Sequence, residues 1–247
     1  MFRLDLTTVI TGGCMLVALS LPAWADFTAG HAAFQSEDYV KALQLFKEDG
    51  GAESAYKIGT IYDNGLGVDE NKKMAFEWFL KAANKGLDLA QHRVGEMYEN
   101  ARGVDENLKE ALRWYTKAAN QGLAIAQYKV GEMLFNGHGV DQNIPEGITW
   151  LKKSAKMGIV KGQYDMALMY YTGQGVKKDL QEAAKWYLKA AEQGHTRAQY
   201  DIATMYFKGE GVKQDKAEAV RWLRKAAQNG HIKAQRDLQT MSDNQMR

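Results

Sequence analysis

The sequence predicts an all-α fold: a solenoid of about five helix–turn–helix units with a capping element at each end. Three observations carry this. Trp78, Trp114, Trp150, Trp186 and Trp222 stand 36 residues apart. The stretches "NGLGV" (64–68), "NARGV" (100–104), "NGHGV" (136–140), "TGQGV" (172–176) and "KGEGV" (208–212) recur in the same register. So do "KAANKG", "KAANQG", "KSAKMG", "KAAEQG" and "KAAQNG", beginning at Lys81, Lys117, Lys153, Lys189 and Lys225. A fixed period of this length marks stacked supersecondary units, and no alternating apolar–polar run suggests a strand.

The elements follow in chain order. Residues 1–25 read as a signal peptide: Arg3 supplies positive charge, Thr7 to Leu21 is uncharged and mostly apolar, and "AWA" (23–25) fits small-x-small cleavage. Cleavage after Ala25 is expected, with the protein exported to the periplasm or secreted; an uncleaved anchor or a lipoprotein at Cys14 is the weaker alternative. Cys14 is the only cysteine, so the exported chain has no thiol for disulfides, thiolate catalysis or cysteine metal sites. Residues 26–51 form an N-terminal capping pair, degenerate and without tryptophan. Five units cover about 52–87, 88–123, 124–159, 160–195 and 196–230. Residues 231–247 begin a further helix, then turn polar, as a C-terminal cap should.

Within a unit, the second helix starts at Asn71, Asn107, Asn143, Asp179 or Asp215, residues that cap helix N-termini. Glu110, Glu146, Glu182 and Glu218 stand three positions on and predict capping boxes in four units. Ala75, Trp78, Phe79, Ala82 and Ala83 make one apolar stripe, and Gly86 ends the helix in the left-handed conformation. In the first helix Ile58, Ile61 and Tyr62 share a side, and Gly59 allows close helix approach. In the loop, Gly65 takes the left-handed conformation and Gly67 continues the turn. Where unit two has Ala101, Asn100 is expected to absorb the left-handed angle.

Several chemistries are disfavoured. Basic and acidic residues number 32 and 30, which points away from nucleic acid. The glycine loops follow a helix and lack a third glycine, unlike phosphate-cradling loops. His31, His92, His138, His195 and His231 include no i, i+3 or i+4 pair that could share an ion; His195 and His231 read as partly buried spacers. No nucleophile–base set stands out, so no enzyme, metal or cofactor is expected. The lysine column from Lys81 to Lys225 is either a cationic ladder or a set of cations favourably placed in last helical turns.

The recurring A-x-x-x-[LIVM]-[GA]-x-x-Y-x-x-G-x-G-V, then N/D and A-x-x-W-[YFL]-x-K-A-A-x-x-G, resembles the Sel-1-like repeat, a relative of the tetratricopeptide repeat. The resemblance covers about residues 52–234. It implies a right-handed α-α superhelix that scaffolds protein–protein contacts, in bacterial exported members often in envelope assembly, signalling or host interaction. Cysteine-rich relatives resemble β-lactam-binding or β-lactam-hydrolysing proteins, but the missing cysteines withhold that activity here.

By resemblance to tetratricopeptide arrays, positions 53, 56, 60 and 63 and their equivalents line a concave groove. The second column is Tyr56, His92, Tyr128, Tyr164 and Tyr200, suited to packing or to recognition. The third is Thr60, Glu96, Glu132, Leu168 and Thr204; the last is Asp63, Glu99, Phe135, Tyr171 and Phe207. The groove is therefore expected to be acidic towards its N-terminal units and aromatic towards its C-terminal ones. Phe135, Tyr171 and Phe207 are candidate apolar anchors, with Tyr128, Tyr164 and Tyr200 beside them and Glu96, Glu99 and Glu132 tuning charge. The expected partner is a protein or extended peptide; peptidoglycan or another glycan or β-lactam-type ligand is the alternative.

Overall fold

The computed structural model describes residues 23–245, which form thirteen helices and, among these residues, no strand. The pair α1 (Ala23–Gln35) and α2 (Tyr39–Asp49) comes first. Five pairs follow: α3 (Ala52–Asn64) with α4 (Lys72–Asn84), α5 (Asp88–Glu99) with α6 (Leu108–Asn120), and α7 (Ala124–Asn136) with α8 (Ile144–Lys156). Next come α9 (Val160–Thr172) with α10 (Leu180–Glu192) and α11 (Thr196–Lys208) with α12 (Lys216–Gln228); α13 (Ile232–Gln245) ends the array. Each helix packs on its neighbours in sequence, so the array is a solenoid. The apolar leader expected at 7–21 lies outside the described residues. Helix α1 runs through the expected cleavage point after Ala25.

Local chemistry sets each boundary. The second helix of every unit is capped by the expected Asn or Asp, whose side chain accepts from an amide of the first turn. The return half of a capping box is not made, however. The N-cap amides of Asn71, Asn107, Asn143, Asp179 and Asp215 donate at 2.8–3.0 Å to the carbonyls of Tyr62, Tyr98, Leu134, Tyr170 and Tyr206. That bond closes the loop, and three glutamates pair along the helix instead, Glu110 with Arg113, Glu182 with Lys185 and Glu218 with Arg221, while Glu146 accepts from the Asn143 side chain at 2.9 Å. A long-range backbone acceptor has displaced the local one.

At the other end, Gly86, Gly122, Gly158, Gly194 and Gly230 have φ of 86–95°. The next residue's amide reaches back to a carbonyl five earlier, as Leu87 does to Ala82 at 3.3 Å, so each helix closes in a Schellman motif.

Two features of the glycine loop differ from expectation. In unit two Asn100 keeps φ at −111°, and Ala101 itself carries the left-handed angle, φ 52°. The loop's shape is fixed by its closing bond, so the residue at that position takes the strain. The second glycine also does more than continue the turn. A Cβ on Gly103 would lie 2.1 Å from the Lys72 carbonyl oxygen, and one on Gly211 2.1 Å from that of Leu180. This glycine is where each loop presses on the start of the preceding unit's second helix.

Between units the core is built on alanine: Ala75, Ala82, Ala111, Ala118, Ala183 and Ala190 are fully buried, which lets helices approach closely. Gly59 faces the Phe79 ring and Gly95 the Tyr115 ring, each too near for a Cβ. A column of glutamines, buried at all but the last position, pins the register. Gln91, Gln127, Gln163, Gln199 and Gln235 donate at 3.0–3.3 Å to carbonyls of Ala83, Ala119, Ala155, Ala191 and Ala227 at the preceding helix's end.

Candidate binding groove

Helices α3, α5, α7, α9, α11 and α13 present one common face, and the residues after the tyrosine column decide its character. That column reads Lys57, Arg93, Lys129, Asp165, Asp201 and Asp237. It changes sign midway. The signal stands in the sequence one position beyond the tyrosines, outside the four columns expected to line the groove.

In the N-terminal half Arg93 and Lys129 meet the acids of the last column one unit back, while Lys57 lies over the Phe34 ring. Asp63 is only 2% exposed and is held by Arg93 at 2.7 Å, Arg102 at 2.9 Å and Lys72 at 3.2 Å. Burial alone would raise its pKa; hydrogen bonds from Arg93 and Lys72 outweigh that and lower it. Glu99 accepts from Lys129 at 3.0 Å and from the Tyr115 hydroxyl at 2.6 Å. Glu96 pairs with Arg93 at 3.0 Å and lies 3.7 Å from His92. The expected acidic end is therefore a charge-paired network: these carboxylates are neutralised within the fold, because acid and base columns 30 residues apart meet across the unit boundary.

The C-terminal half is different. The tyrosine hydroxyls of one unit face the aspartates of the next: Tyr164 donates to Asp201 at 3.2 Å and Tyr200 to Asp237 at 3.1 Å. Tyr128 donates to Glu132 at 3.0 Å and sits against Asp165. Burial pushes the Asp165 carboxyl up to about 6, against the lowering pull of Tyr128 and with the Glu132 charge adding to the rise. Burial likewise raises Asp201. The column thus packs and hydrogen-bonds at once, and only Tyr128 among these three is buried.

The candidate anchors lie beside this ladder. Phe135 lines a cleft of about 180 Å³ with Tyr128, Glu132, Leu151, Asp165 and Leu168. Phe207 lines a second of about 280 Å³ with Tyr200, Thr204, Leu223, Asp237 and Met241. Phe207 is 42% and Leu168 38% exposed. Tyr171 lines neither cleft; it is half-buried, packs its ring 6.4 Å from Tyr187 and donates to Glu210 at 3.0 Å. A cleft of about 450 Å³ near the first pair lies between Phe27 and His31 on one side and Glu53, Tyr56, Lys57 and Leu89 of the groove columns on the other.

The remaining motifs resolve into structure. Each lysine of the column lies over the tryptophan three residues before it, from 3.6 Å at Lys117–Trp114 to 4.6 Å at Lys189–Trp186, a cation–π pair in a last helical turn. His195 and His231 are more than spacers. Their Nδ1 atoms accept from the amides of Ala198 and Ala234, capping α11 and α13, and their rings lie 4.5 and 4.4 Å from Tyr164 and Tyr200. Among the described residues no group of three or more His, Cys, Asp or Glu could hold a metal ion, and no helix is long and apolar enough to cross a membrane.

Comparison with known proteins matches the Sel1 repeat at residues 52–87, 88–123, 124–159, 160–195 and 196–231. A Sel1 repeat protein from Oxalobacter formigenes superposes with a TM-score of 0.79 at 34% identity, covering 84% of this chain and 87% of that one. A protective antigen of uropathogenic Escherichia coli gives 0.83 at 33% identity, covering 87% of this chain and 47% of that one, so this chain spans about half its length. An immunity protein from Pseudomonas aeruginosa, at 0.52 and 16% identity, shares the fold alone. No curated protein matches the chain.

Proposed function

The chain belongs to the Sel1 repeat family, whose members mediate protein–protein interaction, and on that basis we propose that it is an exported adaptor that binds a partner protein or extended peptide along the concave face of its array. The periplasm is the proposed location, on the strength of the N-terminal residues. No catalytic role is assigned: members of this family are generally non-enzymatic adaptors.

One observation carries the choice of face. Phe207 and Leu168 stay exposed within clefts formed between the first helices of consecutive units. Large apolar side chains left inside concave, polar-rimmed clefts supply the anchoring geometry typical of interaction sites. Photo-crosslinking in cells from position 171, with mass spectrometry of the captured species, tests the reading. Capture of a discrete protein, lost when Phe135 and Phe207 are also replaced by alanine in a chain that still folds, is the expected result. Aromatic-dependent sedimentation with purified sacculi, without protein capture, would transfer the groove to a glycan ligand.

A further inference from the structure

The clefts of the C-terminal half are apolar at their floor and carboxylate-lined at their rim, with Lys161, Arg197 and Lys233 four positions before Asp165, Asp201 and Asp237 on the same helices. Asp165, Asp201 and Asp237 project from equivalent positions of α9, α11 and α13. Among the described residues none of them has a basic group within ion-pair distance. Lys161 acts on Asp165, Arg197, His231 and Lys233 act on Asp201, and Lys233 acts on Asp237, only from farther off. Glu132, in the same cleft as Asp165, has Lys129 at 3.8 Å. The contrast with Asp63, which gathers three cations, is internal to the protein.

We infer that this half of the groove receives a basic segment of a partner polypeptide, with Lys or Arg side chains meeting Asp165, Asp201 and Asp237 and intervening apolar side chains entering the Phe135–Leu168 and Phe207–Met241 clefts. The inference rests on the adaptor reading and names the partner's chemistry. Neutral tyrosine hydroxyls satisfy part of each carboxylate's hydrogen-bonding capacity but cannot offset its charge, so an incoming cation has something to gain at each site. A polyproline II segment with a basic residue at every third position presents its cations along one side, advancing about 9 Å per turn.

Fluorescence anisotropy with labelled (Pro-Leu-Lys)4, (Pro-Leu-Gln)4 and (Pro-Leu-Glu)4 tests this on the purified protein; each spans roughly 37 Å at about 3.1 Å per residue. The lysine peptide is expected to bind at least about tenfold more tightly than either of the others, and to weaken with salt. In Asp165→Asn/Asp201→Asn/Asp237→Asn that preference should shrink to about threefold or less, and Asp201→Asn alone should reduce it in part, with helicity and melting checked for both. Equal binding of all three peptides, lost in Phe207→Ala, overturns the basic specificity and leaves the adaptor reading standing. A preference that survives the triple substitution, or a tighter glutamate peptide, overturns the assignment of these carboxylates. No binding of any peptide, with Phe207-dependent sacculus binding, overturns both readings.

Discussion

The Tyr164 hydroxyl donates to the Asp201 carboxylate at 3.2 Å, across 37 residues of chain. With the bond from Tyr200 to Asp237 it forms a polar seam between first helices of successive units. Tyr164→Phe should destabilise the C-terminal units by about 1–2 kcal/mol at neutral pH, because a buried carboxylate loses its donor. Native-state hydrogen exchange checks this: protection in α9 and α11 should fall, while α3 to α5 stay unchanged, as expected for units coupled only to neighbours.

The pH dependence of stability has two windows. Asp165, raised by burial to about 6, binds its proton more tightly folded than unfolded. Its ionised form weakens the fold above that value, so stability rises as pH falls from about 7 towards the ordinary carboxylate range. Asp165→Asn should remove that rise and be more stable at pH 7, by on the order of 2 kcal/mol. Asp63 has the opposite sign: its lowered pKa adds stability above the ordinary value, lost only as pH falls below it. Thermal melts of both proteins between pH 4 and 8 separate the two, and an unchanged slope in Asp165→Asn refutes the assignment.

The two glycine classes of each unit should respond differently to alanine. Gly194 has φ 88° and open space where a methyl group would stand, whereas Gly211 has φ 69° and the Leu180 carbonyl in the way. Gly194→Ala should cost about 1 kcal/mol, the left-handed backbone penalty alone. Gly211→Ala should cost about 3 kcal/mol or more, since backbone must move too. Urea midpoints, with circular dichroism to confirm folding, measure the difference.

Ala101 is the converse case. It holds φ at 52° where the other units have glycine, so Ala101→Gly should stabilise unit two by up to about 1 kcal/mol. A fall in urea midpoint would show that the left-handed angle is not maintained in solution.

Much of the fold is legible because each unit repeats its own local chemistry. The caps at Asn71 and Asp215, the Schellman glycines and the alanine stripe depend on residues within one or two turns, and a 36-residue recurrence displays each five times over. The lysine–tryptophan pairs are equally local, three residues apart, although the lysine column by itself suggests only its charge. The candidate groove is legible as a set of columns, from Glu96 and Glu132 to Phe135 and Phe207, but not in its electrostatics. Glu99 reads as a free acid until Lys129, 30 residues on, is placed beside it.

The repeat, its helices and the lateral order of side chains on each face follow from helical periodicity and from capping groups near in the chain, and are written in the sequence. What those side chains do depends on how the units stack. Only stacking brings Arg93 onto Asp63 and leaves Asp201 with a tyrosine, and only the loop-closing bond to Tyr98 makes Ala101 carry an angle that suits glycine. Charge pairing and backbone strain are set by distances between units, and a periodic sequence records which residues recur without recording which of them meet.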